Sequence, residues 1–509
     1  MASVTTFAAL DVGSYELELT IYEISPKKGI AQLERIRKVI GLGRDTYERG
    51  IISYDRVDEM CRLLHRFQGV MAEYQVENYR AYGTSAIREA ENREVVLDQI
   101  RVRTGIEIDV LSNSEQRFLC YKAIAAKENE FNNIIQKGTA IVEVGSGSTQ
   151  ISLFDKDALV TTQNLKLGAL RIHQILARIG GMAEDRKKLA QEFIDNDITA
   201  FKKLFLKERN VKNIIATGVC AMYLGRGAHA DKQRVSAQEF MEFYEDLRNM
   251  GEDQIAEKYD IPAEFVSLVV PGAMVYKRLI DATEAEMVWL PGVRLGDGIV
   301  AEFAEQKKLI HFAHDFSKDI LVAARNIAKR YMSDRDHTAV LEKNVLNIFD
   351  GMKKYHGLGK RERLLLQISA ILHDCGNYIS MKTPGECAYN IILSTEIIGV
   401  SHRERVIIAN VVKYNTVEFD YTTGDVSLNK SMRITIAKLT AILKIGNAMD
   451  RSQKQKFKDV RISVKDQQMF ITTSSPESIL LEEALFAHRA DFFEEVYGIR
   501  PVLKKKKGV

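Results

Sequence analysis

The sequence predicts an α/β protein in three parts: two structurally similar α/β domains that share a cleft, then an all-helical domain with a small C-terminal β segment. Three observations carry this prediction. One short plan occurs twice: Ala9-Leu-Asp-Val-Gly-Ser14 and Ile141-Val-Glu-Val-Gly-Ser146 each give an apolar strand, an acid, a Gly-Ser turn and a returning strand. Their acids, Asp11 and Glu143, stand 132 residues apart, about one domain length. Strands and helices alternate through the first third, whereas from about residue 302 to Gly446 almost everything reads as amphipathic helix. The expected domains are 1–125, 126–301 and 302–509.

The elements follow in order. Phe7–Leu10 is an apolar strand that ends at Asp11-Val-Gly-Ser14, and Leu17, Leu19 and Ile21 alternate with polar residues as the next strand. Val57, Met60, Cys61, Leu64, Phe67 and Met71 recur at helical spacing. Ala140–Val144 is a second apolar strand before Gly145-Ser-Gly-Ser148, and Ile151 and Leu153 open its return. In the helical part, Val340, Val345, Ile348 and Phe349 form one stripe, and Leu364, Leu365, Ile368, Ile371 and Leu372 another. Val460, Ile462 and Val464 alternate, and Met469, Phe470 and Ile471 follow as a short β segment. Lys504-Lys-Lys-Lys507 reads as a solvated tail.

Composition narrows the function. At 509 residues, 46% of them hydrophobic, the chain is too long for one core and too apolar to be mostly disordered. Lys and Arg total 72 against 69 Asp and Glu, and a net charge of +3 gives no bulk argument for a nucleic-acid or membrane partner. Cys61, Cys120, Cys220, Cys375 and Cys387 are odd in number, scattered and without a CxxC pair. The start runs straight into a strand and lacks the basic region of a signal peptide. No uncharged run approaches the ~18 residues of a spanning helix. A reduced cytoplasmic enzyme or sensor is the expectation.

A Gly/Ser turn after a buried strand presents backbone N–H groups and hydroxyls to an anion. Here both turns lead back into strands, and neither GxxxxGK[ST] nor GxGxxG occurs, which disfavours P-loop and Rossmann sites. Two facing turns, each preceded by a carboxylate, suit a phosphate chain with a divalent cation.

With these segments in place, the sequence resembles the Ppx/GppA family of exopolyphosphatases and guanosine pentaphosphate phosphohydrolases. The resemblance rests on Ala8–Ser14, Tyr82-Gly-Thr-Ser-Ala-Ile-Arg88, Leu111-Ser-Asn-Ser-Glu-Gln116, Ile141–Gln150, Ala216-Thr-Gly218, Leu290-Pro-Gly-Val-Arg-Leu-Gly296 and Phe492–Gly498. It implies two ribonuclease-H-like domains of the actin/Hsp70/sugar-kinase superfamily, then an HD-like helical domain. It further implies Mg²⁺, or another divalent cation, and hydrolysis of terminal phosphate from polyphosphate or pppGpp. A homodimer with an elongated basic channel would also fit the family.

The resemblance assigns phosphate binding to Gly13, Ser14, Gly145, Ser146, Gly147, Ser148 and Thr149, and metal binding to Asp11, Glu143 and Gln150. Tyr15 and Glu16 depart from the family's first loop, Glu143 replaces an Asp, and Gln150 replaces a Glu. Arg88 matches a phosphate-facing arginine. At the catalytic position the family carries a second Glu, which deprotonates water. Here Glu115 aligns with the first Glu and Gln116 with the catalytic one, and an amide cannot take a proton at pH 7. A register slip of one residue would instead make Glu115 the base. In the helical domain, His337, His373, Asp374 and Asp450 follow the order of HD-type metal ligands. Further family histidines are missing, as at Pro384–Cys387 and Tyr414-Asn415, so a structural, metal-free HD relic is expected.

The expected function is a Mg²⁺-dependent exopolyphosphatase or pppGpp phosphohydrolase. The rival is a polyphosphate or alarmone sensor that binds without efficient turnover, favoured by Gln116. Sugar-kinase-like ATP transfer is a third, weaker reading, because Ala216-Thr-Gly218 is a sparse adenosine-site match.

Overall fold

The computed structural model describes residues 4–156, 158–178, 183–207, 209–224, 233–312, 314–421 and 428–506. The chain divides into two compact units, residues 1–319 and 320–509.

Among the described residues, the front unit holds two sheets. The first contains β1 (Thr5–Val12), β2 (Glu16–Ser25), β3 (Gly29–Val39), β4 (Asn78–Gly83) and β5 (Asp109–Val110), in the order β3-β2-β1-β4-β5. The second contains β6 (Thr139–Val144), β7 (Thr149–Asp155), β8 (Ala158–Leu165), β9 (Asn213–Gly218), β10 (Arg234–Ser236) and β11 (Met287–Trp289), in the order β10-β11-β9-β6-β7-β8. Each sheet opens with an antiparallel meander of three strands and then adds parallel strands beside its first: β4 beside β1, and β9 beside β6. The repeated strand-acid-Gly-Ser plan is thus a repeated topology. Alternation sets the register: Ala8, Leu10 and Val12 bury one face of β1, and Phe7 and Ala9 the other.

One element crosses between the sheets. The helix Leu295–Gln306 follows the second sheet in sequence but packs on the first. Its Leu295, Ile299 and Phe303 share a core with Phe7, Ala9 and Tyr22, and the rings of Phe303 and Phe7 stack 4.3 Å apart.

The unit 320–509 is helical, as the apolar stripes predict. Its helices include Arg335–Gly351, Lys360–Leu372, Pro384–Ser394, His402–Thr416, Lys430–Ala448 and Leu480–Tyr497. The β segment is larger than the sequence suggests. β12 (Val460–Lys465) and β13 (Gln468–Thr473) form a hairpin, and β14 (Arg500–Lys505) lies parallel to β13. The lysine run is therefore not simply a solvated tail. Lys504 and Lys505 are in register with Thr472 and Thr473, and the Lys504 ammonium sits 3.6 Å from the Phe470 ring centroid. Lys505 donates to the carbonyls of Pro476 and Glu477 at 2.9 and 2.8 Å. Backbone pairing is indifferent to side-chain charge at a solvated edge, so the lysines hid the strand. Lys507 lies outside the described residues. Among the described residues no helix is long and apolar enough to cross a membrane.

Candidate active site between two facing turns

The two Gly-Ser turns have the same internal geometry. The amide of Gly13 donates to the Glu16 carbonyl at 3.0 Å, and that of Gly145 to the Ser148 carbonyl at 3.0 Å. Asp11 faces Glu18 across β1 and β2, and Glu143 faces Gln150 across β6 and β7. The next strands add Arg37 opposite Glu18 and Asn164 opposite Gln150. The 132-residue offset between Asp11 and Glu143 thus also relates Glu18 to Gln150, and Glu18 was not among the expected site residues. The internal repeat carried the signal that would have found it.

These polar groups are buried and incompletely satisfied. Among the described residues, Asp11 Oδ1, Glu143 Oε2, Gln116 Oε1, Thr217 Oγ1 and both amide atoms of Gln150 lack a hydrogen-bond partner. Such groups are expensive to bury, so several at one place mark a ligand or ion site. Asp11, Glu143, Glu16, Glu18, Cys120 and Arg294 line a cavity of about 130 Å³ that reaches Thr217 and Gly218.

The helix Asn113–Ala125 separates the roles of Glu115 and Gln116. Glu115 closes a capping box: the Ser112 amide and hydroxyl donate to its Oε2 at 3.0 and 2.6 Å, while its own amide donates to the Ser112 hydroxyl at 3.3 Å. Gln116, about 100° further round, turns into the cleft, and its Nε2 donates to Glu143 Oε1 at 3.2 Å. Cys120, one helical turn on, also hydrogen bonds Glu143.

Ser14, Gly147 and Arg88 are more committed than free phosphate donors would be. The Ser14 hydroxyl lies 2.8 Å from Tyr47 Oη and 3.0 Å from Ser85 Oγ, and accepts from the Ala86 amide at 3.1 Å. A Cβ on Gly147 would collide with Tyr47 Oη and Ser85 Oγ, so only glycine lets the second turn approach the first so closely. The Arg171 guanidinium covers the Tyr47 ring at 4.0 Å, donates to the Gly147 carbonyl at 3.1 Å and pairs with Glu89 at 2.8 Å. Tyr47 and Arg171 therefore tie the two turns together, and neither belongs to the expected motifs. Thr149 is buried and donates its hydroxyl to the Leu167 carbonyl at 2.5 Å. Ser146 accepts the Leu170 and Arg171 amides on its carbonyl, at 3.0 and 3.3 Å. Ser148 is buried beside it. Arg88 donates to the Leu111 carbonyl and Asn113 Oδ1, which holds the start of the Gln116 helix, and its charge also acts on Glu143.

Glu16 does not present bare charge to the turn. Arg37 grips it through two parallel hydrogen bonds of 2.8 and 3.0 Å, and Arg294 lies 3.8 Å away. Arg294 also pairs with Glu18, with Arg35 3.6 Å and Arg37 3.7 Å from the same carboxylate. Three arginines thus meet Glu16 and Glu18, whereas among the described residues Asp11 and Glu143 make no ion pair at salt-bridge distance. Burial, reinforced by Glu18, Glu16 and Glu143, pushes the Asp11 carboxyl well above its usual range. Burial also raises Glu143, against the hydrogen bonds from Cys120 and Gln116.

A divalent cation fits this pair. Two carboxylates with unsatisfied oxygens are hard donors, and Mg²⁺ binds through one or two carboxylates plus substrate phosphates rather than an all-protein cage. Among the described residues no group of three or more His, Cys, Asp and Glu is arranged to hold a metal.

In the helical unit, the HD-like residues do come together. His337 and His373 have ring centroids 5.0 Å apart, and His337 Nδ1 meets Asp450 Oδ2 at 2.7 Å. They also serve as structural partners. Asp450 Oδ1 accepts the Gln455 amide at 2.7 Å, His373 Nδ1 donates to the Ala370 carbonyl at 2.8 Å, and Asp374 Oδ2 accepts the Asp334 amide at 3.3 Å. Burial, ahead of every nearby charge, lowers the His373 imidazole.

The sequence pattern of the Ppx/GppA phosphatase family matches residues 20–307, and that of Ppx/GppA phosphatase domain III matches 322–491. The chain is 22% identical over 420 residues to a guanosine-5'-triphosphate,3'-diphosphate pyrophosphatase of Photobacterium profundum, covering 80% of each protein. It is 21% identical over 299 residues to exopolyphosphatase 1 of Mycobacterium bovis, covering 57% of this chain and 86% of the other. The crystal structure of an exopolyphosphatase from Cytophaga hutchinsonii superposes with a TM-score of 0.53 at 16% identity, covering 60% of this chain and all of that one.

Proposed function

Because this chain belongs to the Ppx/GppA phosphatase family, we propose that its cleft hydrolyses the terminal phosphoryl group of inorganic polyphosphate or guanosine pentaphosphate. The observation that carries this is the pair Asp11 and Glu143, each with an unsatisfied buried oxygen, at the ends of two facing phosphate-type turns. A divalent cation held by that pair would neutralise charge on the phosphoryl oxygens as the bond to the leaving phosphate breaks. Backbone amides inside the turns, at Ser14 and at Ser146–Ser148, position the chain, since those of Gly13 and Gly145 are engaged within their own turns. Gln116 Oε1, without a hydrogen-bond partner among the described residues, accepts a hydrogen bond from the attacking water and aims the water's oxygen at phosphorus, while Glu143 fixes the other end of the amide. The proton leaves to a phosphate oxygen or solvent, since the amide cannot hold it.

Turnover is therefore slow, because a missing general base costs ~10²–10⁴-fold. The same geometry favours one second reading, a sensor that binds polyphosphate or pppGpp and hardly cleaves it. Orthophosphate release from long-chain polyphosphate and from pppGpp, side by side with Mg²⁺, separates the two. Slow, chelator-sensitive release from at least one substrate is expected. Tight binding of both with no release above background would leave only the sensor.

A further inference from the structure

The carboxylate of Glu143 stands one methylene further from its backbone than that of Asp11, which holds the equivalent place in the first turn. Glu143 therefore has one more rotatable bond to fix. A ligating carboxylate serves a cation best when neighbouring groups orient it, so that extra freedom has to be removed.

The groups that remove it come from one face of the helix Asn113–Ala125. Gln116 and Cys120 are four residues apart, so their side chains lie one above the other. Gln116 Nε2 donates to Glu143 Oε1 at 3.2 Å, and the Cys120 thiol hydrogen bonds the same carboxylate. Cys120 is 7% exposed and sits where core meets cavity. It belongs to the core of Phe7, Ala9 and Leu295, and it lines the cavity with Asp11 and Glu143. Any small apolar residue would serve the core; what the thiol adds is a donor. Burial, with Glu143 next, pushes that thiol well above its usual range, so it keeps its proton and donates. Among the described residues Glu143 Oε2 has no hydrogen-bond partner.

We propose that Cys120 is a positioning residue of the cleft: together with Gln116 it pins the Glu143 carboxylate, so that Oε2 is the oxygen offered to the divalent cation. Cys120 acts through Glu143 and touches neither cation nor substrate. The inference rests on the proposed cation pair Asp11 and Glu143, and it adds a division of work between the two oxygens of Glu143.

Calorimetry of Mn²⁺ binding to the metal-free full chain tests this without any turnover. Cys120→Ala should raise the Mn²⁺ dissociation constant about threefold to tenfold. Cys120→Ser, which keeps a donor, should recover part of that loss. Cys61→Ala removes a thiol from the first sheet's core, away from the cavity, and should leave the constant unchanged. The sharpest comparison is made in a Glu143→Asp chain. The shorter carboxylate loses its reach to the helix, so adding Cys120→Ala there should change the constant less than about twofold. An unchanged constant in a folded Cys120→Ala chain, no recovery with serine, or an equal loss in the Glu143→Asp background overturns the positioning role and leaves the cation pair standing. A parent chain that binds no Mn²⁺ overturns the cation pair itself, and this role with it.

Discussion

Glu115 engages its carboxylate with the backbone of Ser112, whereas Gln116 reaches Glu143. Two opposite outcomes follow at adjacent positions. Glu115→Gln should weaken the cap by about 1 kcal/mol and leave phosphate release unchanged. Gln116→Glu should raise release by up to ~10²-fold, the low end of general-base contributions, with little change in KM. The new carboxylate would stand beside Glu143, so the gain should appear only at saturating Mg²⁺. Rates that respond to Glu115→Gln and not to Gln116→Glu would return the base to Glu115. Tyr47 offers a third residue-scale test. Its hydroxyl occupies Ser14 and Ser85, so Tyr47→Phe should cost about 1 kcal/mol of stability while releasing one hydroxyl hydrogen of the Ser14–Ser85 pair for phosphate. A lower KM for polyphosphate, with folding intact, is expected; a KM that rises contradicts it. Tyr47 was illegible in sequence because it sits in no motif, 33 residues from the serine it contacts. Glu18 was legible in principle, through the repeat that placed Glu143.

Elements show a similar division between what a chain states locally and what packing adds. The strands that carry Asp11 and Glu143, their turns and their returns all follow from alternation and the repeated plan. The partner of the helix Leu295–Gln306 does not, because an amphipathic pattern names the buried face but not the surface that covers it. That helix lies after the second sheet in sequence and closes the first sheet's core, through Phe303 on Phe7. Phe303→Ala should cost about 3–5 kcal/mol, as large aromatic truncations in cores do. Because Asp11 lies four residues along β1 from Phe7, the loss should also raise the Mg²⁺ concentration needed for half-maximal activity. Denaturant unfolding and a Mg²⁺ titration of the same variant check both effects. A variant that loses stability but keeps its Mg²⁺ requirement would separate the helix from the site.

On the scale of the whole chain, the residues that face the proposed reaction all lie before residue 320, and the HD-like cluster lies after it. Its order His337, His373-Asp374, Asp450 was readable in sequence, but order alone could not reveal what each side chain holds. The geometry gives those partners: His337 with Asp450, Asp450 with the Gln455 amide, His373 with the Ala370 carbonyl and Asp374 with the Asp334 amide. Each such bond to a buried group contributes on the order of 1 kcal/mol, and more where a charge would be stranded. His373→Ala with Asp374→Ala should therefore lower the thermal stability of the helical unit. It should leave phosphate release from polyphosphate within about twofold of the parent, because the cleft's carboxylates, turns and amide are untouched, and a twofold rate change is only about 0.4 kcal/mol. Bound metal measured on the dialysed protein should be the same in both chains. Loss of all turnover in a variant whose front unit still unfolds cooperatively would move essential chemistry into the helical unit. Loss of bound metal would make the histidine cluster a metal centre and not a structural one.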